Sequence, residues 1–228
     1  MNTKQSPIGC RVCAEGRAVP FESVDGWNYW LCSLCAAVFM DVSQLPDREA
    51  ERLRYDQHRN DPDDAGYRRF LGKLANPLLE RLEPACAGLD YGCGPGPALA
   101  RMLAEAGHAM RVYDPIFYPD RSVLACTYDF ITCTETAEHF HCPAREWIRL
   151  DGLLRPGGWL AIMTGFLDAD HRFAKWHYRR DPTHVVFYRE QTFHHLAGQF
   201  GWQCEVPEKN VVLMRKPTRA SSLSAGPR

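Results

Sequence analysis

Between residues 132 and 140 the chain reads TCTETAEHF, which places Glu135, Glu138 and His139 at positions i, i+3 and i+4. If the segment turns helical after a strand, the three side chains share one face and converge on a point. Two carboxylates and an imidazole so placed form either a metal site or a hydrogen-bonded corner. A second constellation lies near the N-terminus. CRVC at 10–13 and CSLC at 32–35 enclose eighteen residues, the spacing of paired zinc knuckles. Cys10, Cys13, Cys32 and Cys35 thus present four thiolates to one tetrahedral Zn2+. With no open position left on the ion, its role is structural rather than catalytic. Between the pairs, WNYWL offers alternating aromatics for a hairpin too small to fold without the metal.

The rest of the chain must position the first cluster. With 228 residues, 45% of them hydrophobic, it can bury one medium domain plus a small appendage. A net charge of -1 gives no overall attraction to nucleic acid or to an anionic membrane. The start MNTKQSPIGC lacks an apolar leader and no run suits a bilayer span, so a cytoplasmic protein with no membrane partner is expected. The six scattered cysteines (Cys86, Cys93, Cys126, Cys133, Cys142, Cys204) read as small buried hydrophobes. Four regions follow: a zinc ribbon at 1–40, a polar helical connector or lid at 41–84, an α/β domain at 85–215 and a disordered tail at 216–228.

From Leu89 onward, strand-like runs alternate with helical patterns, the order of a parallel sheet covered by helices. GLDYGCGPGPALARMLAEAG reads as strand, glycine turn and amphipathic helix with Leu99, Met102 and Leu103 on one face. Pro97 is expected at the first helical position. Gly92, Gly94 and Gly96 leave room for a ligand above the strand's carboxyl end, but Pro97 replaces the third glycine of the dinucleotide fingerprint, which disfavours a pyrophosphate. AMRVYDP ends the second strand at Asp114, where a carboxylate either accepts two ribose hydroxyls or caps the turn before Pro115.

These segments resemble class I S-adenosylmethionine-dependent methyltransferases over roughly residues 85–215. LDYGCGPG resembles their motif I, Asp114 their acidic residue after strand two, YDFITCTETAEHF their motif IV region and LLRPGGWLAIMT their turn into strand five. THVVFYREQTFHHLAGQFGWQCEVPEKNVVLMRK resembles strand six, last helix and strand seven. The resemblance implies a Rossmann-like seven-stranded sheet with a reversed final strand and S-adenosylmethionine across the strand tips, touching Asp90, Gly92, Cys93, Gly94, Gly96, Asp114 and Thr134. Only about thirteen residues separate Asp114 from YDFIT, so strand three must be trimmed, to SVLACTY.

E-x-x-E-H resembles the ubiquinone-pathway O-methyltransferases and the small-RNA 2′-O-methyltransferases of the Hen type. That likeness implies a catalytic divalent cation, Mg2+ or similar, on Glu135, Glu138 and His139, joined by His184 from the expected sixth strand. Without a metal, Glu138 caps a helix, His139 bonds a carbonyl, and His139 or His184 is the general base. Tyr55, His58, Asn60 and Tyr67 are candidate lid residues. Arg172, Lys175, Arg179 and Arg180, mixed with Phe173, Trp176 and Tyr178, read as a surface for an anionic, aromatic substrate or as a solvated basic face.

The expected function is therefore O-methylation of a small hydroxylated acceptor. The alternatives are an RNA methyltransferase docking through the ribbon, a sugar C-methyltransferase, or an interaction module without catalysis. Residues 1–40 balance three basic side chains (Lys4, Arg11, Arg17) against three acidic ones (Glu15, Glu22, Asp25), which weakens the RNA alternative. TCTE also departs from the Asn-Pro-Pro-aromatic motif of base-amine methylation.

Overall fold

The computed structural model describes residues 6–56 and 60–218, His171 by its backbone only; His58 and residues 219–228 of the expected tail lie outside them. The chain opens with an antiparallel meander of β1 (Ile8–Gly9), β2 (Arg17–Val24), β3 (Trp27–Cys32) and β4 (Val38–Met40). Asp25 and Gly26, both at positive φ (54° and 86°), make the tight β2–β3 turn, whose left-handed residues match the twist of the strands they join. Helices α1 (Arg48–Tyr55) and α2 (Ala65–Leu79) follow. Asp47 and Asp64 cap their N-termini by accepting from the Ala50 and Tyr67 amides.

The larger unit runs through β5 (Ala87–Tyr91), α3 (Ala98–Glu105), β6 (Ala109–Tyr113), β7 (Tyr128–Thr134), α4 (Pro143–Leu153), β8 (Leu154–Met163), β9 (Val186–Phe187), α5 (Glu190–Phe200), β10 (Gln203–Glu208) and β11 (Val211–Arg215). Its sheet has the order β10-β11-β8-β7-β5-β6. The last four are mutually parallel, and β11 runs antiparallel to both its neighbours. From β5 the chain goes to β6 on one side and later to β7 on the other. The carboxyl ends of β5 and β7 therefore flank a switch point, where α/β sheets open a crevice.

Burial alternates with the pleat. Phe130, Ala161, Met163, Val211 and Leu213 face α2 and α3 through Leu71, Leu74, Leu78, Leu99 and Leu103. Ile131, Cys133, Leu160, Ile162, Val212 and Met214 face Trp147 of α4 and Phe193 of α5. Both faces of the central strands are thus covered, which is why they read as apolar runs.

Four expectations need correction. The large sheet has six strands among the described residues, not seven: the SVLACTY stretch makes a 3-10 turn, Arg121–Ala125, because the short crossover leaves no length for strand and helix together. THVVFY is not strand six of that sheet. It supplies β9, which pairs with β4 in the small sheet (Phe39 opposite Val186), and β10 takes the expected place. Pro97 is the N-cap of α3 rather than its first residue. Lys216, assigned to the tail, is held by an amide bond to the Gly158 carbonyl (2.9 Å) and by Nζ to the Asp151 carbonyl (2.7 Å).

The small sheet is thus closed by a strand from residues 186–187, and one buried cluster contains Cys10, Trp30 and Phe39 together with Trp147, Phe187 and Phe193. No described helix is long and apolar enough to cross a membrane.

Candidate active site

The carboxyl ends of β5, β6 and β7 open into a cavity of about 890 Å3, large enough for two small molecules side by side. Asp90, Gly92, Cys93, Gly94, Gly96, Asp114 and Thr134 all line it. Gly92 turns at φ +79°, where a Cβ would lie 2.1 Å from Thr136 Cγ2, and a Cβ on Gly96 would lie 2.0 Å from the Asn60 carbonyl oxygen. The glycines therefore let Thr136 and Asn60 close over the loop. Asp114, buried, accepts from the amides of Gly94 (3.1 Å), Ile116 (2.8 Å) and Phe117 (3.0 Å). Each carboxylate oxygen has two lone pairs, so one acceptor position, on Oδ2, remains for a ribose hydroxyl. Thr134 Oγ1 is buried and has no hydrogen-bond partner among the described residues, which leaves it for a ligand. Asp90 accepts from Thr132 Oγ1 (2.7 Å) and is pushed up to about 6 by burial. Burial, with Asp90 and Asp114 beside it, also raises the Cys93 thiol, leaving it a neutral wall rather than a nucleophile.

Of the four candidate catalytic groups the structure brings three together. One ligand atom each from Glu138, His139 and His184 lie within 4.8 Å of one another. The convergence is made by backbone pairing: the 3-10 turn Ala137–His139 accepts the Val185 amide through the Glu138 carbonyl (2.9 Å), which draws in the residues preceding β9. His184 lies on that approach, not on a strand of the large sheet. His139 Nδ1 faces the Thr183 carbonyl (2.9 Å) and His184 Nδ1 faces the Tyr178 carbonyl (2.7 Å). A carbonyl only accepts, so each Nδ1 carries the hydrogen, and in a neutral imidazole so oriented the lone pair lies on Nε2. The hydrogen-bonded corner and the metal site are thus compatible readings of one geometry, since metal-binding imidazoles commonly donate their other nitrogen in this way. Burial holds His184 down at about 4.

Glu138 is completely buried. It accepts from Thr164 Oγ1 (2.8 Å) and from the Tyr178 hydroxyl. Burial together with Glu138 and Glu135 raises that phenol well above its usual range, so it stays a donor. Glu135 stands outside the set. The local chain makes a single 3-10 turn instead of a helix, and Glu135 sits before it at φ +47°. Its side chain opens onto the cavity and lies 3.4 Å from the Tyr178 hydroxyl. Burial and the neighbouring Glu138 push it up to about 8, although the side chain is exposed on the open cavity, so a proton is held there more readily than on a free carboxylate.

Helix α1 spans the cavity mouth. Arg54 Nε bonds Asp181 Oδ2 (2.8 Å), Glu51 Oε1 lies 2.9 Å from His141 Nε2, and the Tyr55 ring stands edge-on to His139 at 5.2 Å. Burial works against it, yet Thr183, His184 and Arg54 hold Asp181 down at about 2. Tyr55, Asn60 and Tyr67 line the cavity as expected of lid residues. The basic stretch at 172–180 divides. Arg180 lines the cavity; Arg172 and Lys175 are exposed and stand off it; Arg179 is buried, with Nη2 2.7 Å from Asp25 Oδ2. Sequence reading missed Thr164 and the part Tyr178 plays; the only signal for Tyr178 was its place among aromatics near His184.

The cysteine quartet forms a second centre. Cys10 and Cys35 sulfurs lie 3.8 Å apart and those of Cys13 and Cys32 3.9 Å. Sulfurs on a tetrahedral ion with ~2.3 Å bonds are about 3.8 Å apart, whereas a disulfide needs about 2.05 Å. Amides of Val12, Gly16, Leu34 and Cys35 point at these sulfurs from 3.3 to 3.4 Å, the donors that a bound thiolate calls for. The donor set fits a tetrahedral ion.

A doubly wound sheet with a reversed strand beside β8, opening a cleft at its switch point, is the architecture of class I methyltransferases. Residues 57–205 match the family described as Methyltransferase domain, and the chain belongs to it. No curated protein sequence matches. Among solved structures the chain is similar to 1,6-didemethyltoxoflavin-N1-methyltransferase of Burkholderia thailandensis, with its substrate and S-adenosylhomocysteine bound, at 17% identity and TM-score 0.53, over 93% of this chain and 100% of that one. Magnesium protoporphyrin IX methyltransferase of Synechocystis, with S-adenosylmethionine bound, is similar at 16% identity and TM-score 0.47, over 74% and 90%. An O-methyltransferase family protein of Burkholderia thailandensis is similar at 13% and 0.49, over 74% and 63%. At such identities the likeness is one of fold.

Proposed function

We propose that the protein is an S-adenosylmethionine-dependent methyltransferase that methylates an oxygen of a small hydroxylated acceptor. One observation carries the reading: the glycine loop, Asp114 and the partnerless Thr134 hydroxyl open into the same cavity as the Glu138, His139 and His184 cluster. S-adenosylmethionine, when bound, supplies an activated methyl group. Asp114 holds its nucleoside beside the glycine loop and Thr134 donates to or accepts from it, which fixes the methyl in line with the acceptor; much of the rate of such a displacement comes from alignment. Asn60, Tyr67 and α1 keep water out.

Glu138, His139 and His184 would hold a divalent cation as a two-imidazole, one-carboxylate face. Such an ion lowers the pKa of a hydroxyl beside it. Tyr178 and Thr164 fix the Glu138 carboxylate, and the two carbonyls fix the imidazole tautomers. A metal-free reading is favoured by the same tautomers, because the free Nε2 of His139 or His184 can take the acceptor's proton directly. Glu135, protonated, lines the acceptor side as a neutral donor. The four cysteines hold a structural Zn2+. All ten cysteines are free of disulfides, which suits a cytoplasmic location. The balanced charge of the ribbon and its packing against the large unit favour a small acceptor over RNA.

Calorimetric titration of the zinc-loaded protein with S-adenosylhomocysteine, then with Mn2+, tests both halves. Micromolar binding of the nucleoside is expected, together with a Mn2+ site that His184→Ala removes while nucleoside affinity stays. Absent nucleoside binding would end the methyl-transfer reading; Mn2+ binding indifferent to His184 would end the cation reading in favour of the histidine base.

A further inference from the structure

Four arginines reach the same cavity from four separate elements: Arg48 from α1, Arg121 from the 3-10 turn after β6, Arg145 from the first turn of α4 and Arg180 from the 3-10 turn His177–Arg180. All four are exposed, and none of their guanidinium groups forms a hydrogen bond or ion pair with another described residue. The other two arginines of the wall are engaged, Arg54 with Asp181 at 2.8 Å and Arg149 with Glu146 at 2.7 Å. Of the acids of the mouth, Glu146 faces Arg149 and Asp181 faces Arg54, while Glu51 faces the His141 imidazole rather than an arginine, which leaves four arginines against one carboxylate there. Of the three remaining acids of the wall, Asp90 near the end of β5 and Asp114 after β6 sit at the donor side, and Glu135, after β7, lies beside Tyr178 at the acceptor side. Positive charge is therefore left uncompensated at the mouth, and a sulfonium donor adds to it. Inside a cleft with low-dielectric walls such a field concentrates anions.

We propose that the acceptor carries a phosphate group, or an equivalent multiply charged oxyanion, received by Arg48, Arg121, Arg145 and Arg180. The term acceptor rests on the methyl-transfer reading; the anion site itself does not. A single carboxylate is satisfied by one bidentate guanidinium, whereas a phosphate monoester presents three acceptor oxygens and roughly -1.5 to -2 charges, which calls for several forks. The arginines lie around aromatic lining, Tyr55, Tyr113, Phe117 and Phe140, so the body bearing the anion is flat or apolar. The occupant is small, because α1 crosses the mouth and is pinned at both the Asp181 and the His141 side. The source of the charge differs from the sequence expectation: of Arg172, Lys175, Arg179 and Arg180, only Arg180 takes part.

Titration calorimetry on the full-length zinc-loaded protein, with and without S-adenosylhomocysteine, tests this with phenyl phosphate, phenol, inorganic phosphate, citrate and a short single-stranded RNA as probes. Phenyl phosphate is expected to bind at least about tenfold more tightly than phenol, and the pair Arg145→Ala with Arg180→Ala to lose about tenfold or more, as suits the removal of charge-assisted bonds. The lysine pair at the same positions should recover part of that loss, and S-adenosylhomocysteine affinity should stay unchanged in all variants. Phenyl phosphate binding no better than phenol, or as well to the alanine pair as to the parent, would overturn the proposal. Preferential binding of citrate would overturn the phosphate assignment, and preferential binding of RNA the small-molecule one. Loss of nucleoside binding alone would strike at methyl transfer and leave the anion site standing.

Discussion

The two sheets solve the same problem, covering apolar strands, by opposite means. The large sheet is covered on both faces by its own helices, α2 and α3 on one and α4 and α5 on the other, the second cluster continuing into the small sheet. The small sheet has too few strands to make a core, and draws on three outside supports: four cysteine sulfurs at tetrahedral spacing, the borrowed strand β9, and aromatic contacts such as Tyr29 and Phe21 on Phe173 at 4.7 and 5.3 Å. The donor cradle belongs wholly to the first sheet. Of the residues that reach Glu138, Thr164 follows β8, while Tyr178 and His184 belong to the segment that leads into β9. The candidate active site is therefore a seam, and the wall that carries Tyr178 and His184 is only as fixed as the small sheet.

The sharpest way to break that comparison is to remove the proposed zinc site. A structural zinc site contributes about 10–16 kcal/mol to folding, against a total stability of about 5–15 kcal/mol for a domain. Cys13→Ser with Cys32→Ser should therefore cost the small sheet altogether. Hydrogen exchange is expected to speed up in β2, β3, β4 and β9 together, while β5, β7 and β8 keep protection and S-adenosylhomocysteine still binds. If β9 keeps its protection in that variant, the two sheets are independent and the seam is not coupled.

Next in size is Glu138→Gln, which leaves the shape of the cluster and removes its charge. Activity should fall roughly a hundredfold or more, and Mn2+ affinity with it, at unchanged nucleoside affinity. A fall in nucleoside affinity of similar size would mean that the cluster belongs to the donor side of the cavity.

How much of this was legible in the chain follows the same division. The glycine loop, Asp114 and the cysteine quartet are local in sequence, so spacing alone exposed them. Strand β9 was misplaced because VVFY carries an apolar pattern that suits any sheet; nothing local says that Phe39, not β8, is its neighbour. Glu135 was grouped with Glu138 and His139 on helical spacing, and the positive φ at Glu135 undoes that spacing. Arg179 looked like part of a basic surface, yet its side chain is only 4% exposed because Asp25, 154 residues away, meets it from the β2–β3 turn. Partners this distant leave no periodic trace.

That Arg179 and Asp25 pair supplies a third test. Asp25 is largely exposed, so Asp25→Asn should change stability by no more than about 1–2 kcal/mol, mostly through the buried guanidinium it leaves without a counter-charge. Because Arg179 follows Tyr178 directly, the larger effect is expected on turnover: kcat lowered several-fold with the Km for S-adenosylmethionine unchanged, and Asp25→Glu restoring part of it. A change confined to thermal stability would reduce the pair to a local prop.

The smallest effect sharpens the comparison from the other side. Ala14 and Ala36 follow the second cysteine of each pair, and both sit in the left-handed region, at φ 60° and 59°. Their amides close each knuckle by bonding back to the Cys10 and Cys32 carbonyls at 3.2 and 3.1 Å. A non-glycine residue there costs about 1–2 kcal/mol, and glycine costs about 0.5–1 kcal/mol in chain entropy. Exposed Ala14→Gly should therefore stabilise the knuckle by roughly 0.5–1 kcal/mol, a rise in Tm of a few degrees at most for a chain of this size. It should also slow zinc loss to a chelator without touching nucleoside binding. The same substitution at a left-handed residue of the large unit, Ala85 at φ 57°, relieves the same backbone strain far from the sulfurs. It should raise thermal stability by a similar amount and leave the rate of zinc loss as it was. Chelator resistance gained equally from both would show that the metal reports on the whole fold and not on the small sheet.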